Sequence, residues 1–473
     1  MKRIKSLIIY IISFIMILIL FIAVKNTKDN LENKSNQIEF LEKNLQNKKA
    51  QILNMHTELL KKNINIENII FENGILFFKN QEQNFKLKNS NTEYNLNILK
   101  SNDLIFAKHP EASSSAYVDF YNNNIFLTTA TGQITYSNIK NLNSNNVIFK
   151  TIKSNIQEII KYPEFYTDSQ FGVKDILINN NKIYISYVNQ HYEGCFSTSI
   201  LEGDIHYSYI KFEKFYTPNK CVDKNNEYFS IPKNKLIAHQ SGGRMIIKDN
   251  LMFFSTGEYR HRTLAQEDDN DFGKILSIQL HDKTKKILSK GHRNPQGLFL
   301  NEDLNILFST EHGPSGGDEI NYLKLDELNS SNVSNYGWPM SSYGRHYHDD
   351  NDDNDERYKL APLKKSHSKY GYVEPLKYFD PSVGISQIIS IPKKFSGVDN
   401  YKFIVGTMGN AKKFKEGMLS LYFFEFNKGN EEIVNSEIIP IKSRVRDMVY
   451  VKEENIVLMF LENYNSLAIL RKK

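Results

Sequence analysis

Long runs of basic residues are missing from this sequence, although its formal net charge at pH 7 is +6 over 473 residues. Lysine and arginine are instead dispersed along the chain. A nucleic-acid-binding protein needs a concentrated basic surface on a recognisable module, so the sequence excludes this class of partner. Disorder of the whole chain is excluded as well, because 40% of the residues are hydrophobic and 12% are aromatic, which is enough for a large core.

Cysteine is scarce, since Cys195 and Cys221 are the only two. A compartment outside the cytoplasm would permit a disulfide between them, and their separation along the chain suits a bridge between neighbouring strands. Two unrelated thiols are equally compatible with the sequence. Both alternatives stay open at this point.

A small-x-small cleavage site is lacking after the apolar segment at the N-terminus. The chain begins Met1-Lys-Arg-Ile-Lys, and the segment from Leu7 to Val24 is an unbroken apolar run of eighteen residues. At a rise of about 1.5 Å per residue this run nearly spans a bilayer core of roughly 30 Å. The basic flank predicts a cytoplasmic N-terminus. We therefore expect residues 1–24 to be an uncleaved signal anchor, with the remaining chain in the periplasm or outside the cell.

A heptad pattern follows the anchor in the polar segment 25–63. Apolar residues recur every seven positions at Leu31, Ile38, Leu45, Ile52 and Leu59. The accompanying positions are mixed, with Leu41 and Met55 but also Lys34 and Lys48. The pattern predicts a helical stalk. Whether this stalk pairs two chains as a coiled coil, giving a homo-oligomer, or is a solvated spacer stays open.

Amphipathic helices are absent from the pattern of residues 64–473, where short apolar runs alternate with Asn, Gly and Asp turns. One unit recurs, in which an apolar strand, a polar turn and a second strand follow one another. The second strands of the six copies are residues 125–129, 183–187, 251–257, 306–310, 403–407 and 456–460. Repeated four-stranded units at such spacing predict an all-β fold and a six-bladed β-propeller. A two-sheet sandwich would need fewer strands.

Polar or charged residues stand just before the first strand in four of these units. His239 and Arg244 precede one such strand, and Arg293, Ser386 and Arg444 precede three others. Equivalent positions in successive blades surround the central channel on one face of a propeller. The repeat therefore predicts that residues about 200 positions apart share one cavity.

Five motifs, in order, resemble the soluble pyrroloquinoline quinone (PQQ) glucose dehydrogenases and the related aldose sugar dehydrogenases. The motifs are His239-Gln-Ser-Gly-Gly-Arg, Gly291-His-Arg-Asn-Pro-Gln-Gly-Leu, Glu311-His-Gly-Pro-Ser-Gly-Gly-Asp-Glu-Ile-Asn, Asn335-Tyr-Gly-Trp-Pro and Arg444-Val-Arg-Asp. The resemblance covers roughly residues 100–470. It implies a sugar-oxidising enzyme with PQQ and Ca²⁺ as cofactors, a sugar substrate and an electron acceptor that the sequence does not identify.

The resemblance also implies roles for individual residues. His239 matches the general base, and Arg293 and Asn294 match the pair that contacts the quinone and its reacting carbonyl. Gly313 and Pro314 match the positions whose backbone carbonyls hold Ca²⁺. Cofactor contacts are further implied for Ser382, Arg444, Arg446 and a lysine of the fifth blade, for which Lys412, Lys413 and Lys415 are the candidates.

The chemistry of the implied cofactor agrees with these residue types. PQQ carries three carboxylates, which suit the planar fork of arginine, and Ca²⁺ accepts backbone carbonyl ligands. A neutral imidazole is well suited to take a hydroxyl proton. We expect Asp318 and Glu319 to fix the Gly313 loop, and Glu258 stands where the family has an aspartate that orients the histidine.

Two other functions are compatible with the same sequence. One is a non-catalytic propeller that binds a glycan or a protein through the same cavity. The other is a calcium-dependent lactone hydrolase, although the arginines favour an anionic cofactor. The acidic stretch 349–356 lacks the glycine of an EF-hand loop and is interpreted as a solvated insertion.

Overall fold

The computed structural model of the chain describes residues 74–102, 115–224, 236, 238–326, 333–347, 359–409 and 415–473. This part of the chain is built almost entirely from β-strands, which confirms the all-β prediction. Among the described residues, no helix has the length and apolarity needed to cross a bilayer. The expected anchor (1–24), the stalk (25–63), the acidic stretch 349–356, Lys412 and Lys413 lie outside the described residues.

Antiparallel segments of four strands recur along the chain, and neighbouring strands are paired in each of them. The first three segments are β3 (Ala116–Tyr121), β4 (Asn124–Thr129), β5 (Ile134–Asn138) and β6 (Asn146–Ser154); β7 (Val173–Asn179), β8 (Lys182–Tyr192), β9 (Cys195–Asp204) and β11 (Phe212–Tyr216); and β13 (Gly242–Lys248), β14 (Leu251–Thr256), β15 (Lys274–Gln279) and β16 (Lys285–Lys290). The next three are β17 (Pro295–Asn301), β18 (Ile306–Glu311), β19 (Asp318–Lys324) and β21 (Lys377–Phe379); β22 (Ile385–Ile391), β23 (Tyr401–Thr407), β24 (Ser420–Asn427) and β25 (Glu432–Pro440); and β26 (Val445–Val451), β27 (Ile456–Leu461), β28 (Ser466–Lys472) and β2 (Glu93–Ser101).

The remaining elements are short or lie at sheet edges. Strand β1 (Ile75–Lys86) pairs with both β2 and β6, and the strands of two residues are β10 (Tyr209–Ile210), β12 (Val222–Asp223) and β20 (Ser334–Asn335). Short helices within the described ranges include α1 (Ile156–Ile159), α2 (Glu164–Thr167) and α3 (Lys393–Ser396). The 3₁₀ turns are Ile139–Asn143, Ser169–Phe171, Ala238–Gln240, Arg262–Ala265, Ser368–Tyr370 and Glu462–Tyr464.

The first strands of the six segments pack against one another in cyclic order, β3 to β7, β13, β17, β22, β26 and back to β3. This arrangement is propeller-like. The cycle closes through β2, which precedes β3 in sequence but pairs with β28 at the C-terminal end of the chain. The predicted second strands correspond to β4, β8, β14, β18, β23 and β27, so that part of the strand prediction is confirmed.

The hairpin turns explain why asparagine is frequent in this chain. Asn122 and Asn123 connect β3 to β4 with φ values of 50° and 62°, and Asn180 and Asn181 connect β7 to β8 with 47° and 63°. Two consecutive residues in the left-handed region form the turn that best matches the twist of paired strands. Asparagine tolerates this region better than other residues with side chains.

The core lies between the faces of neighbouring sheets. Strand β27 is buried along its whole length, and the rings of Phe308 and Phe403 approach within 4.7 Å across two adjacent segments. Full burial of one such side chain contributes roughly 1.5–3 kcal/mol.

A β-bulge near the beginning of the first strand recurs in five segments. The pairing register shifts between Val173 and Asp175, Gly242 and Met245, Pro295 and Gly297, Ile385 and Ile388, and Val445 and Asp447. A bulge bends the strand and redirects its side chains.

Cys195 and Cys221 form a disulfide, which settles the alternative that the sequence left open. The bridge connects β9 to the residue before β12, and the chain then continues toward His239.

Candidate functional site

A 3₁₀ turn at Ala238–Gln240 carries His239 just before β13. The histidine is half-buried, and the next residue, Gln240, is buried. In the amide orientation that satisfies both neighbours, the Gln240 nitrogen donates to Glu258 Oε1 (2.6 Å) and its oxygen accepts from Arg293 Nη2 (2.9 Å). The turn with His239 is therefore linked directly to the arginine of the next segment.

Glu258 is fully buried beneath this turn. Burial raises the pKa of its carboxyl group to about 7, against the opposing effect of Arg293, Arg262 and Arg260. Its Oε2 atom has no hydrogen-bond partner among the described residues. Through Gln240, Glu258 fixes the turn on which the histidine lies.

The guanidinium group of Arg293 is held on several sides. Nη1 donates to the backbone carbonyl of His312 (2.9 Å) and Nη2 donates to the hydroxyl of Tyr347 (3.1 Å), while the guanidinium carbon lies 5.4 Å from the ring centroid of Trp338. The backbone N–H of Arg293 donates to Glu311 Oε2 at 2.7 Å. Arg293 Nε is buried without a hydrogen-bond partner in the described part of the chain. The guanidinium group is therefore held in position while its Nε–H group donates to no described residue.

Two amide side chains connect this arginine region to the last segment. Asn294 Oδ1 accepts from the backbone N–H of Gly242 (3.2 Å) and from Gln296 Nε2 (3.0 Å). Gln296 Oε1 in turn accepts from Arg446 Nη1 at 3.0 Å. Hydrogen bonds thus connect the predicted site residues Asn294 and Arg446, which belong to two different segments, and also connect Asn294 to Gly242 in a third.

Arg444 and Arg446 both bind the fully buried carboxylate of Glu462. Arg444 Nε donates to Oε2 (2.6 Å) and Arg446 Nε donates to Oε1 (2.5 Å), and Ser115 Oγ donates to the same carboxylate (2.5 Å). Burial opposes the charge on Arg446, but Glu462 outweighs it and raises the pKa of this arginine. Two guanidinium groups therefore contact this one buried carboxylate.

Arg244 has a different place from the one that its sequence position suggested. Its Nη1 forms ion pairs with Asp175 (2.9 Å) and Asp447 (2.6 Å), its Nε donates to the Gln296 carbonyl (2.8 Å), and its Nη2 donates to the Arg446 carbonyl (2.8 Å). The expectation that Arg244 presents its charge to the shared cavity is therefore wrong. It instead supports the backbone of Arg446 from inside the fold.

The loop after β18 contains the implied calcium positions. The Gly313 N–H donates to Asp318 Oδ1 at 3.0 Å, and Ser382 Oγ donates to the Pro314 carbonyl at 3.4 Å. A Cβ atom at Gly313 would lie 2.1 Å from the carbonyl oxygen of Gly317. Only glycine therefore fits here, and the loop is closely folded on itself.

Asp318 fixes the Gly313 loop, as predicted, and also connects it to the next loop. Its Oδ2 accepts from the backbone N–H groups of Val383 (3.0 Å), Gly384 (2.7 Å) and Ile385 (3.2 Å). Glu319 does not share this role, because it accepts from His367 Nε2 (3.1 Å) and from the Asn321 amide.

The described residues include no cluster of three or more His, Cys, Asp or Glu side chains arranged to hold a metal ion. Of the three candidate lysines, only Lys415 is described, and its side chain is exposed.

Sequence reasoning missed Gln240, Gln296, Glu462 and Lys174. Lys174 is buried in β7, where its ammonium donates to the carbonyls of Ser169 (3.1 Å) and Gln170 (2.8 Å). The sequence does contain a pattern that marks this lysine. The pair Lys174-Asp175 interrupts an apolar strand at a position equivalent to that of Arg446-Asp447. Glu462 had no such signal, because it simply follows a fully apolar strand.

Comparison with known proteins gives one family match and several partial relatives. The family model described as glucose/sorbosone dehydrogenase matches residues 122–471. Aldose sugar dehydrogenase YliI of Escherichia coli K12 is 27% identical over 243 residues, which are 47% of this chain and 58% of that protein. Quinoprotein glucose dehydrogenase B of Acinetobacter calcoaceticus is 29% identical over 158 residues, which are 26% of this chain and 31% of that protein. The chain thus matches less than two thirds of either relative's length.

Solved structures show a similar fold. A crystal structure of a glucose dehydrogenase has a TM-score of 0.57 at 19% identity and covers 76% of this chain and 97% of that one. The soluble aldose sugar dehydrogenase from Escherichia coli has a TM-score of 0.55 at 18% identity, with coverage of 80% and 99%.

Proposed function

Because the chain belongs to the glucose/sorbosone dehydrogenase family, we propose that it is a quinoprotein oxidoreductase that oxidises an aldose or a similarly hydroxylated sugar with PQQ and Ca²⁺. Relatives named as an aldose sugar dehydrogenase and as a quinoprotein glucose dehydrogenase support this proposal. The electron acceptor is a separate redox partner, which the chain itself does not identify.

One observation carries the proposal, namely the network that runs from Glu258 through Gln240 to Arg293, and from Asn294 through Gln296 to Arg446. It unites a turn bearing an imidazole with fixed guanidinium groups from two other segments. A catalytic site needs such preorganised groups, because donors that are already oriented do not have to reorganise during the reaction.

The donor set fits a polycarboxylate cofactor. Arg444 and Arg446 both contact the one carboxylate of Glu462, and Arg293 Nε is buried without a hydrogen-bond partner among the described residues. Arginine binds carboxylates through charge-assisted hydrogen bonds, so these three arginines would hold PQQ, together with Asn294 and Ser382.

Ca²⁺ would be held by the backbone carbonyls of Gly313 and Pro314. Backbone carbonyl oxygens are ordinary Ca²⁺ ligands, and the Pro314 carbonyl accepts only a long hydrogen bond of 3.4 Å from Ser382. Asp318 fixes the Gly313 N–H, so the loop is preorganised before any ion arrives.

The reaction requires that a hydroxyl group of the sugar loses its proton while its carbon gives up a hydride. When bound, PQQ supplies the two-electron acceptor and Ca²⁺ polarises it. His239 takes the hydroxyl proton as general base, and the turn that Gln240 and Glu258 hold keeps its imidazole in place. Arg293 would supply a positioned positive charge beside the bound acceptor.

Calorimetric titration of the full chain with PQQ, in Ca²⁺ and then in a chelator, tests the cofactor assignment. We expect binding in Ca²⁺ and its loss in chelator. Tight binding of Ca²⁺ without any binding of PQQ would contradict the assignment, and it would favour the lactone hydrolase or the binding module.

We also propose that the cyclic segments are the six blades of a propeller, anchored by Leu7–Val24 with the propeller outside the cytoplasm and carried on the 25–63 stalk. Protease added to spheroplasts should remove the propeller from the membrane. Recovery of a soluble mature chain that begins near residue 25 would contradict the anchor.

A further inference from the structure

Lys174 is a buried cation close to the turn that carries His239. Its side chain is only 8% exposed, and its ammonium donates to the carbonyls of Ser169 and Gln170. The 3₁₀ turn that contains these two carbonyls packs against the turn Ala238–Gln240. The lysine therefore lies one turn away from the proposed general base.

The charge of Lys174 has no direct counter-ion among the described residues. The nearby carboxylates are already engaged, because Asp168 accepts from the backbone and side chain of Gln170 and Glu462 binds two arginines. Burial, together with repulsion from Arg446, lowers the pKa of Lys174 to about 7. A buried ammonium is unfavourable unless an anion pairs with it, so an anionic ligand bound beside Lys174 would favour its charged form.

The surroundings are shaped to admit this side chain. Gly243 adopts φ +117°, and a Cβ atom there would lie 2.4 Å from Lys174 Cβ. An ammonium group has three N–H donors, and the carbonyls of Ser169 and Gln170 use two of them. One donor remains.

We propose that Lys174 binds a carboxylate of the substrate, and that the preferred substrates are acidic sugars, of the uronic or aldonic acid type, rather than neutral aldoses. This inference rests on the proposed sugar oxidation at the same site. The substrate is favoured over the cofactor as the partner because Lys174 lies against the turn with His239, and this histidine must contact the substrate.

The test uses D-glucose and D-glucuronate, which differ only in the carboxylate at C6. Calorimetry on the full chain should show glucuronate binding at least about ten-fold more tightly, as one charge-assisted hydrogen bond implies. Lys174→Met should weaken glucuronate binding by roughly ten- to a hundred-fold and leave glucose binding unchanged. Lys174→Gln, which keeps a donor but no charge, should lose most of the preference as well.

Lys274→Met is the matched control. Lys274 is a fully buried lysine in β15 whose ammonium donates to the carbonyls of Leu264, Ala265 and Phe272. Its replacement should leave the glucuronate-to-glucose ratio unchanged. If neither Lys174 variant folds, the ratio of glucuronate affinity to glucose affinity in the unmodified chain still tests the preference for acidic sugars.

The outcomes separate this inference from the proposed function. Equal affinities of the unmodified chain for both sugars would overturn the acidic-substrate inference, even if PQQ-dependent oxidation of glucose were observed. The inference would also be overturned if Lys174→Met weakened the binding of both sugars equally, or if it weakened the binding of PQQ. A glucuronate preference that disappears in Lys174→Met would uphold the carboxylate site, even if no sugar were oxidised and the proposed oxidation failed.

Discussion

Replacing Glu462 with glutamine removes the charge that holds Arg444 and Arg446 in place. The carboxylate is fully buried and accepts from both arginines and from Ser115. Glutamine has nearly the same shape but offers one acceptor oxygen and places an NH₂ group against a guanidinium donor. The variant therefore leaves two buried cations without their counter-ion.

The expected loss of folding stability in Glu462→Gln is large. Removal of one partner from a buried ion pair costs about 3–5 kcal/mol of unfolding free energy. For a domain of about 400 residues, such a loss lowers the melting temperature by on the order of 4–6 °C. PQQ should restore much of this loss, because its carboxylates supply the missing negative charge, so the stabilisation by PQQ should be larger in Glu462→Gln than in the unmodified chain.

Thermal and urea unfolding with and without PQQ, in constant Ca²⁺, measures both effects. Glu425→Gln is the matched control, because Glu425 is a buried carboxylate 3.7 Å from Lys402 in an outer strand of another segment. That variant should also be destabilised, but PQQ should stabilise it no more than it stabilises the unmodified chain. If PQQ stabilised Glu462→Gln and Glu425→Gln to the same extent, the arginine pair would not be a cofactor site.

Three further predictions concern separate parts of the site. His239→Gln should lower kcat by roughly 10²- to 10⁴-fold while PQQ affinity stays nearly unchanged; comparable activity in reconstitution assays would remove the histidine from the mechanism. Asp318→Asn should weaken Ca²⁺ binding in calorimetric titrations, because the Gly313 loop loses a charged tether, and unchanged binding would place the ion elsewhere. Replacing Cys195 and Cys221 with alanine should lower the unfolding free energy by about 3.5 kcal/mol for a bridge of 26-residue separation; a stability equal to that of the oxidised chain would contradict this.

The strands were predictable because local sequence determines them directly. Apolar runs such as Ile456–Phe460 alternate with Asn-rich turns, and the structure places strands at all six predicted second-strand positions. The repeat also predicted that residues of distant segments approach one another, and hydrogen bonds link Gln240, beside His239, to Arg293 and Gln296 to Arg446.

The counter-charges of the site were not predictable in the same way. Arg244 and Arg446 look alike in sequence, yet Arg244 is neutralised by Asp175 and Asp447, whereas Arg446 shares one carboxylate with Arg444. Which carboxylate reaches which guanidinium depends on the bulges and on the packing of adjacent segments. A single sequence does not specify such distances.

The burial of Lys174 was likewise not predictable from the sequence. A lysine at the beginning of a strand usually reads as a solvated residue, because its long stem can carry the charge to water. Here Gly243 and two turn carbonyls enclose it instead. The pair Lys174-Asp175 marks the position in the sequence, but the burial of the lysine follows from the three-dimensional packing.

The most direct test of the account is reduction of an electron-accepting dye by the purified full chain, reconstituted with PQQ and Ca²⁺ and supplied with a panel of neutral and acidic sugars. We expect sugar-dependent dye reduction that requires both cofactors and is lost in His239→Gln. Full occupancy by PQQ and Ca²⁺, demonstrated by calorimetry, with no dye reduction by any sugar of the panel would contradict the assignment of this chain as a sugar-oxidising quinoprotein.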